Sequence, residues 1–258
     1  MNLCLHKMKS WNQKQIQQHK TAGEKLGIIK DEFRDFILEK KNVKKDLFEK
    51  DCVEFIKRSY KKHELVNDDK KEFAIVAFGK NTNQVHYFPK GKGLKLIPNT
   101  LILLDIWARL DQKMAPYADT TFMFHYGKKI PKEIQKTWEV LIKSRSNAIE
   151  YIESEIKKNQ MPRGVDIDRV AHDHIGSNGY SDAIKHTIGH SLGFDSPHGK
   201  LPGINWREYS LILKNVGYTI EPGMYLKDFG MRTELDFYVN DKNEMLITTP
   251  IQKEIEII

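Results

Sequence analysis

The sequence predicts an α+β protein. Apolar residues recur at helical spacing over residues 12–40 and again over 131–156. Short apolar or alternating runs, bounded by glycine, proline and asparagine, lie between and after these stretches. The two kinds of segment do not follow the strand–helix–strand rhythm of a doubly wound sheet. With 258 residues, 40% hydrophobic and 30% charged, the chain is long enough to bury a sizeable core. No repeat or low-complexity linker divides it, so one domain over residues 1–258 is expected.

The elements follow in order. Asn12 to Lys40 reads as a helix, with Ile16, Leu26, Ile29, Phe33, Phe36 and Ile37 as a rough stripe and a break allowed at Gly23 and Gly27. Lys45 to Lys62 reads as a second helix, with Phe48, Cys52, Phe55, Ile56 and Tyr60 on one face. Glu72 to Phe78, closed by Gly79, reads as a strand, as do Leu101 to Trp107 and Ala118 to Tyr126. Pro131 opens a long helix carrying Ile134, Trp138, Leu141, Ile149, Ile152 and Ile156, because proline's missing N–H is not needed in a first turn. A turn at Pro162-Arg163-Gly164 precedes a short helix from Asp166 to Ile175. Strands are then expected at Ile184 to Ile188, Tyr218 to Tyr225, Met231 to Val239 and Glu244 to Thr248.

Composition narrows the function. No apolar run reaches the length of a membrane span, and Met1 to Trp11 lacks the apolar centre of a leader, so a cytoplasmic protein with no membrane partner is expected. Two cysteines, Cys4 and Cys52, read as free thiols of a reducing compartment. The net charge of +7 comes mostly from lysines, many in the first third. Glu39, Asp46, Glu49, Asp51 and Glu54 are interleaved with them, which argues for a solvated helix face and against a nucleic-acid partner.

Five potential metal ligands stand along the chain: Asp105, Asp119, His190, Glu221 and Glu234. Four carboxylates and one imidazole suit a pair of hard or borderline divalent cations. Such a pair can share a water, lower its pKa and present hydroxide to an amide carbonyl. Asp105 lies among apolar neighbours from Leu101 to Trp107, where an acid is costly unless paired or bound to a cation. If the strands around it and Asp119 pair, the two carboxylates meet, and cations remove their repulsion. Glu221 and Glu234 are 13 residues apart, a spacing that suits a hairpin around Gly223 to Gly230. Arg232, two residues before Glu234, shares its face of a strand and can orient an acidic ligand. His186 and His190 are four apart, yet no glutamate follows His186, and Gly189 and Gly193 disfavour a zincin helix. His190 is the better ligand, while His186 and His198 suit hydrogen bonding or proton transfer. His172 and His174, beside Asp173, read as surface residues of an amphipathic helix.

The segments His186 to Gly193, Glu221-Pro-Gly-Met-Tyr225 and Arg232-Thr-Glu234, with Asp105 and Asp119 upstream, resemble the pita-bread metallopeptidases: methionine aminopeptidases, aminopeptidase P, prolidase and creatinase-like proteins. The resemblance runs from about Phe73 to Val239 and implies a curved antiparallel sheet flanked by helices, the helices of residues 1–70 belonging to it. It implies two divalent ions, manganese first and otherwise cobalt, iron or zinc. Asp119 and Glu234 would bridge them, with Asp105 on one ion and His190 and Glu221 on the other. It further implies a bridging hydroxide that attacks the scissile carbonyl, Glu221 as proton shuttle, His198 as support for the tetrahedral intermediate, and His86 as a substrate-side histidine.

His186 and Arg232 favour the aminopeptidase P and prolidase branch, and Leu104 to Ala108 with Tyr117 to Thr121 looks like a bacterial Xaa-Pro-peptidase-like group. The implied activity is cleavage of the bond between an N-terminal residue and proline. Methionine removal and a non-catalytic peptide-binding role are the alternatives. Three features depart from the family pattern: a longer Asp105–Asp119 interval, a His198 displaced to eight residues after His190, and only about 70 residues before Phe73. Peptide is the expected partner, and a homodimer is compatible with this reading.

Overall fold

The computed structural model describes residues 10–67 and 73–258. Most of the segment read for a leader, Cys4 and the Glu72 end of one expected strand lie outside them. Helix α1 spans Gln13–Asn42. Its start is fixed by a reciprocal cap: the Asn12 side chain accepts from the Gln15 N–H, and the Gln15 side chain accepts from the Asn12 N–H.

No break occurs at Gly23 or Gly27. These glycines serve close approach instead. A Cβ at 23 would stand 2.6 Å from the Thr248 carbonyl oxygen, and one at 27 would stand 2.6 Å from Pro250 Cγ. Gly23→Ala is therefore expected to destabilise the protein by about 1–3 kcal/mol through overpacking. That outweighs the ~1 kcal/mol that alanine gains in a helix interior. The urea midpoint would fall with an unchanged slope; a midpoint at or above wild type would show that the Thr248 segment yields.

Helix α2 spans Glu49–Lys62, starting later than expected because Lys44 takes a left-handed φ of 52° and Phe48 is the cap, its N–H held by Asp51. Strands β1 (Leu65–Val66), β2 (Ile75–Phe78), β3 (Thr100–Leu110), β4 (Ala118–Tyr126) and β10 (Glu256–Ile257) form one sheet. Strand β3 pairs antiparallel with β1, β2 and β4, and β10 runs parallel to β4.

Alternation along β3 and β4 sends side chains to opposite faces. Ile102, Leu104, Ile106, Ala108, Phe122 and Phe124 join Leu26, Ile29, Phe33, Ile56 and Tyr60 of the helices in one core. Leu101, Leu103, Trp107 and Met123 point the other way, into a second core with Trp138, Leu141 and Met231. Asp105 and Asp119 share that second face.

Helix α3 (Lys132–Lys157) takes Pro131 as its cap residue, and α4 (Gly164–Ser177) follows. The strand expected at Ile184 to Ile188 is absent. That segment is irregular: the Glu221 N–H donates to the Ile188 carbonyl, and just beyond the segment the Thr219 N–H of β5 (Tyr218–Ile220) donates to the His190 carbonyl.

The two strands expected at 218–225 and 231–239 are each split. Strand β5 pairs with β8 (Leu235–Val239), β6 (Gly223–Tyr225) pairs with β7 (Gly230–Arg232), and β9 (Met245–Ile247) lies on β8. Glu221 and Glu234 occupy the interruption of one long hairpin. The architecture is α+β. Among the described residues no helix is long and apolar enough to cross a membrane.

Candidate metal centre

Strand register brings the aspartates together. Asp105 faces Thr121 and Trp107 faces Asp119 across the β3–β4 pair, so the carboxylates are diagonal neighbours on one face. The residues between the strands form a turn in which the Ala115 N–H bonds the Gln112 carbonyl, accommodating the longer interval. Glu221 and Glu234 enter from the interrupted hairpin, and His190 from the loop that β5 holds. Asp105, Asp119, His190, Glu221, Glu234, His86, His186, His198 and Arg232 all line one pocket of about 300 Å³.

Three of the five ligand candidates form the tight group. Atoms of Asp119, His190 and Glu234 lie within 4.8 Å of one another. His190 Nε2 stands 3.3 Å from Glu221 Oε1 and 3.7 Å from Asp119 Oδ2. His190 Nδ1 lies 3.0 Å from the Ser191 carbonyl, which only accepts, so Nδ1 carries the proton and Nε2 turns its lone pair to the carboxylates. Asp105 is held apart from this trio. Its Oδ2 is paired with Arg232 Nη2, while Oδ1 is buried with no hydrogen-bond partner among the described residues.

Arg232 organises one side of the centre. Its Nε donates to Thr121 Oγ1 at 3.0 Å, and the Thr121 hydroxyl donates to Glu234 Oε2 at 2.7 Å. Its Nη1 donates to the Tyr225 oxygen at 2.8 Å. His186 Nδ1 lies 2.7 Å from the Thr187 carbonyl, so its Nε2 accepts the Tyr225 O–H at 2.9 Å. Gly223 permits this closeness, since a Cβ there would collide with His186 Nε2. The rings of His190 and His198 are 4.2 Å apart, so the displaced His198 still reaches the centre.

His172 corrects the surface reading. Its side chain is 15% exposed and Nδ1 stands 3.0 Å from Asp168 Oδ2, while Asp168 Oδ1 accepts the Ile188 N–H. The pair braces the segment before His190.

Burial first, then the neighbouring Asp105, pushes the Asp119 carboxyl well up; burial and then Asp119 do the same to Glu234. Burial lifts Glu221 to about 8, against the opposing pull of Arg232. Burial lowers His190 to about 3, helped by His198, and lowers His186 to about 3, helped by Arg232. A cluster that cannot hold its full negative charge when empty, a buried carboxylate oxygen without a donor, and an imidazole lone pair aimed at the acids together fit a bound divalent cation.

Tyr225, Thr121, Asp236 and Trp107 were not singled out from the sequence. Asp236 Oδ2 accepts the Asp119 N–H at 2.8 Å and so sets the backbone of that ligand from behind. Tyr225 closes the Glu221 motif, and Trp107 and Thr121 lie in the segments around the two aspartates, so these three carried a signal and Asp236 did not.

The model of metallopeptidase family M24 matches residues 18–241. An uncharacterized peptidase of Staphylococcus haemolyticus is 26% identical over 76% of this chain and 55% of its own length. The chain thus spans about half the length of the curated relatives it matches. A prolidase from Thermococcus sibiricus superposes with a TM-score of 0.82 at 22% identity, covering 98% of this chain and 64% of that one. An X-prolyl aminopeptidase from Caenorhabditis elegans, described as a cytosolic enzyme with a di-nuclear active site, superposes with a TM-score of 0.74 at 20% identity, covering 99% and 42%. The fold of these structures, the pita-bread fold, is the fold of this chain.

Proposed function

Because the chain belongs to metallopeptidase family M24, we propose that it is a dinuclear-metal exopeptidase that hydrolyses the bond between an N-terminal residue and proline. The observation that carries this reading is the hydrogen-bonded chain from Asp105 through Arg232 and Tyr225 to His186. It joins the two residues associated by resemblance with the Xaa-Pro branch to a ligand of the centre.

Asp105, Asp119, His190, Glu221 and Glu234 would hold the ions, manganese first and otherwise cobalt, iron or zinc. When bound, the ions would supply a water of lowered pKa and polarise the scissile carbonyl. Glu221 takes the proton of the attacking water and returns it to the leaving nitrogen. His198 donates to the charge that develops on the carbonyl oxygen. His86 lines the substrate side. Arg232 fixes Asp105 and, through Thr121, Glu234, so that two acidic side chains keep their orientation. His186 holds the Tyr225 hydroxyl that in turn steadies Arg232. A cytoplasmic setting and a homodimer belong to the same proposal.

The test is release of the N-terminal residue from Ala-Pro, Ala-Pro-Ala and Met-Ala-Ala by the manganese-loaded protein, with Asp119→Ala as control. Proline-dependent release that disappears in the control is expected. Release from the methionine peptide alone would move the chain to the methionine branch; no release with metal bound would mean another substrate, and neither release nor metal binding would leave a peptide-binding role.

A further inference from the structure

Trp107 stands where the acidic centre meets an apolar wall. On β3, Leu103, Asp105 and Trp107 share one face. Across the sheet Trp107 faces Asp119 and Ile75 faces Asp105. The indole is 7% exposed and Ile75 is 2% exposed, and both line the pocket with Val85. The other wall is polar, built by His190, His198 and Ser196. At about 300 Å³ the pocket sits at the floor of the range for small-molecule sites, roughly 300–1,000 Å³.

The group of a peptide that is drawn to an acidic centre is its N-terminal amine, and Asp105 and Asp119 lie on the sheet face that carries Trp107. An amine held there places its own side chain over the next positions of the same sheet face. Trp107 is two residues along β3 from Asp105 and directly opposite Asp119, within reach of a side chain held at either.

We propose that Trp107 is the specificity-determining residue for the substrate's N-terminal side chain, its indole closing that subsite so that glycine, alanine and serine enter while leucine and phenylalanine do not. This inference rests on the peptidase reading of the same site. Trp107 takes no part in the bond-breaking step; it limits volume.

Two experiments on the manganese-loaded protein test it. Hydrolysis of Xaa-Pro-Ala with Xaa as Gly, Ala, Leu or Phe is compared for wild type, Trp107→Ala and the milder Trp107→Phe. Binding of free alanine, leucine and phenylalanine to the same proteins is measured by titration calorimetry, which needs no turnover.

Wild type is expected to favour alanine over leucine by about 10–200-fold, the range one or more methylenes decide in an apolar pocket. Trp107→Ala is expected to invert that order, with Trp107→Phe between. A uniform loss across the series, or an unchanged order in both variants, would overturn the proposal, as would absence of amino-acid binding by all three. If no proline peptide is cut by wild type while the binding order inverts as expected, the Xaa-Pro reading fails and the assignment of Trp107 stands.

Discussion

Glu234→Ala is expected to lower peptide hydrolysis on the order of 10³-fold or more, above the 10–100-fold that losing a ligand's hydrogen-bond partner costs. Glu234 is one of the tight trio with Asp119 and His190, and its Oε2 is oriented by the Thr121 hydroxyl. Its neighbours leave no second carboxylate to move into its place: Glu221 is engaged by Thr219 and Asp105 by Arg232. The same change should leave the metal-free fold at least as stable as wild type. Burial and Asp119 already hold the Glu234 carboxyl well up, so the empty site loses a source of repulsion. The pairing of the two readouts is the test: manganese stoichiometry and turnover fall together while the urea midpoint without metal does not. Turnover within tenfold of wild type would remove Glu234 from the centre.

The second large effect is on stability without metal. Glu221 has a folded-state pKa raised to about 8. Its contribution is fully present below the ordinary carboxylate pKa and is lost as pH rises through 8. His186 and His190, lowered to about 3, contribute the other way: their stabilisation is present above the ordinary histidine pKa and lost as pH falls. At pH 6.5 an ordinary histidine is half protonated, so His186 and His190 add a small opposing slope that fades by about pH 7.5; the carboxylates, with Asp119, Glu234 and Asp236 raised beside Glu221, outweigh it. One retained proton gives ~1.4 kcal/mol per pH unit, or about 2 kcal/mol across this window for Glu221 alone. The Tm of the chelator-treated protein should therefore fall by roughly 4–8 °C from pH 6.5 to 8. Manganese at a thousandfold excess over its Kd adds about 4 kcal/mol, and the slope should reverse because binding needs deprotonated ligands. Scanning calorimetry with chelator and with manganese decides it; a metal-free Tm that rises over this window would contradict the charged-cluster account.

How much of this was legible in the sequence differs by residue. Strand β3 was readable as an apolar run and β4 as an alternating one, and Asp105 stood out against the first. His190 was separable from His186 by the glycines around it. The strand expected at Ile184 to Ile188 failed for a physical reason: of its residues only Ile188 is buried, and the Ile188 carbonyl takes a single bond from the Glu221 N–H, with no ladder along the segment. Gly23 and Gly27 were read as a break because their reason, the passage of Thr248 and Pro250, lies more than 200 residues away in the chain. Thr121, Asp236 and Tyr225 matter only through what folding brings against them, and His172 looked exposed because its partner Asp168 does its work toward the Ile188 backbone. The hairpin carrying Glu221 and Glu234 was visible from spacing; its interruption was not, although Pro222 is the residue that cannot donate to a ladder.

The division of faces along β3 and β4 has a bearing on how the chain reaches its native state. One step of slippage of β3 would turn Asp105 into the helix-packed core and deliver Leu104 and Ile106 to the pocket, and the same slip of β4 would turn Asp119 inward. A carboxylate among Leu26, Ile29 and Phe33 would find no donor there, so the misaligned hairpin would be expelled rather than trapped. The acids that equip the site thus also proofread the alignment of the strands that carry them.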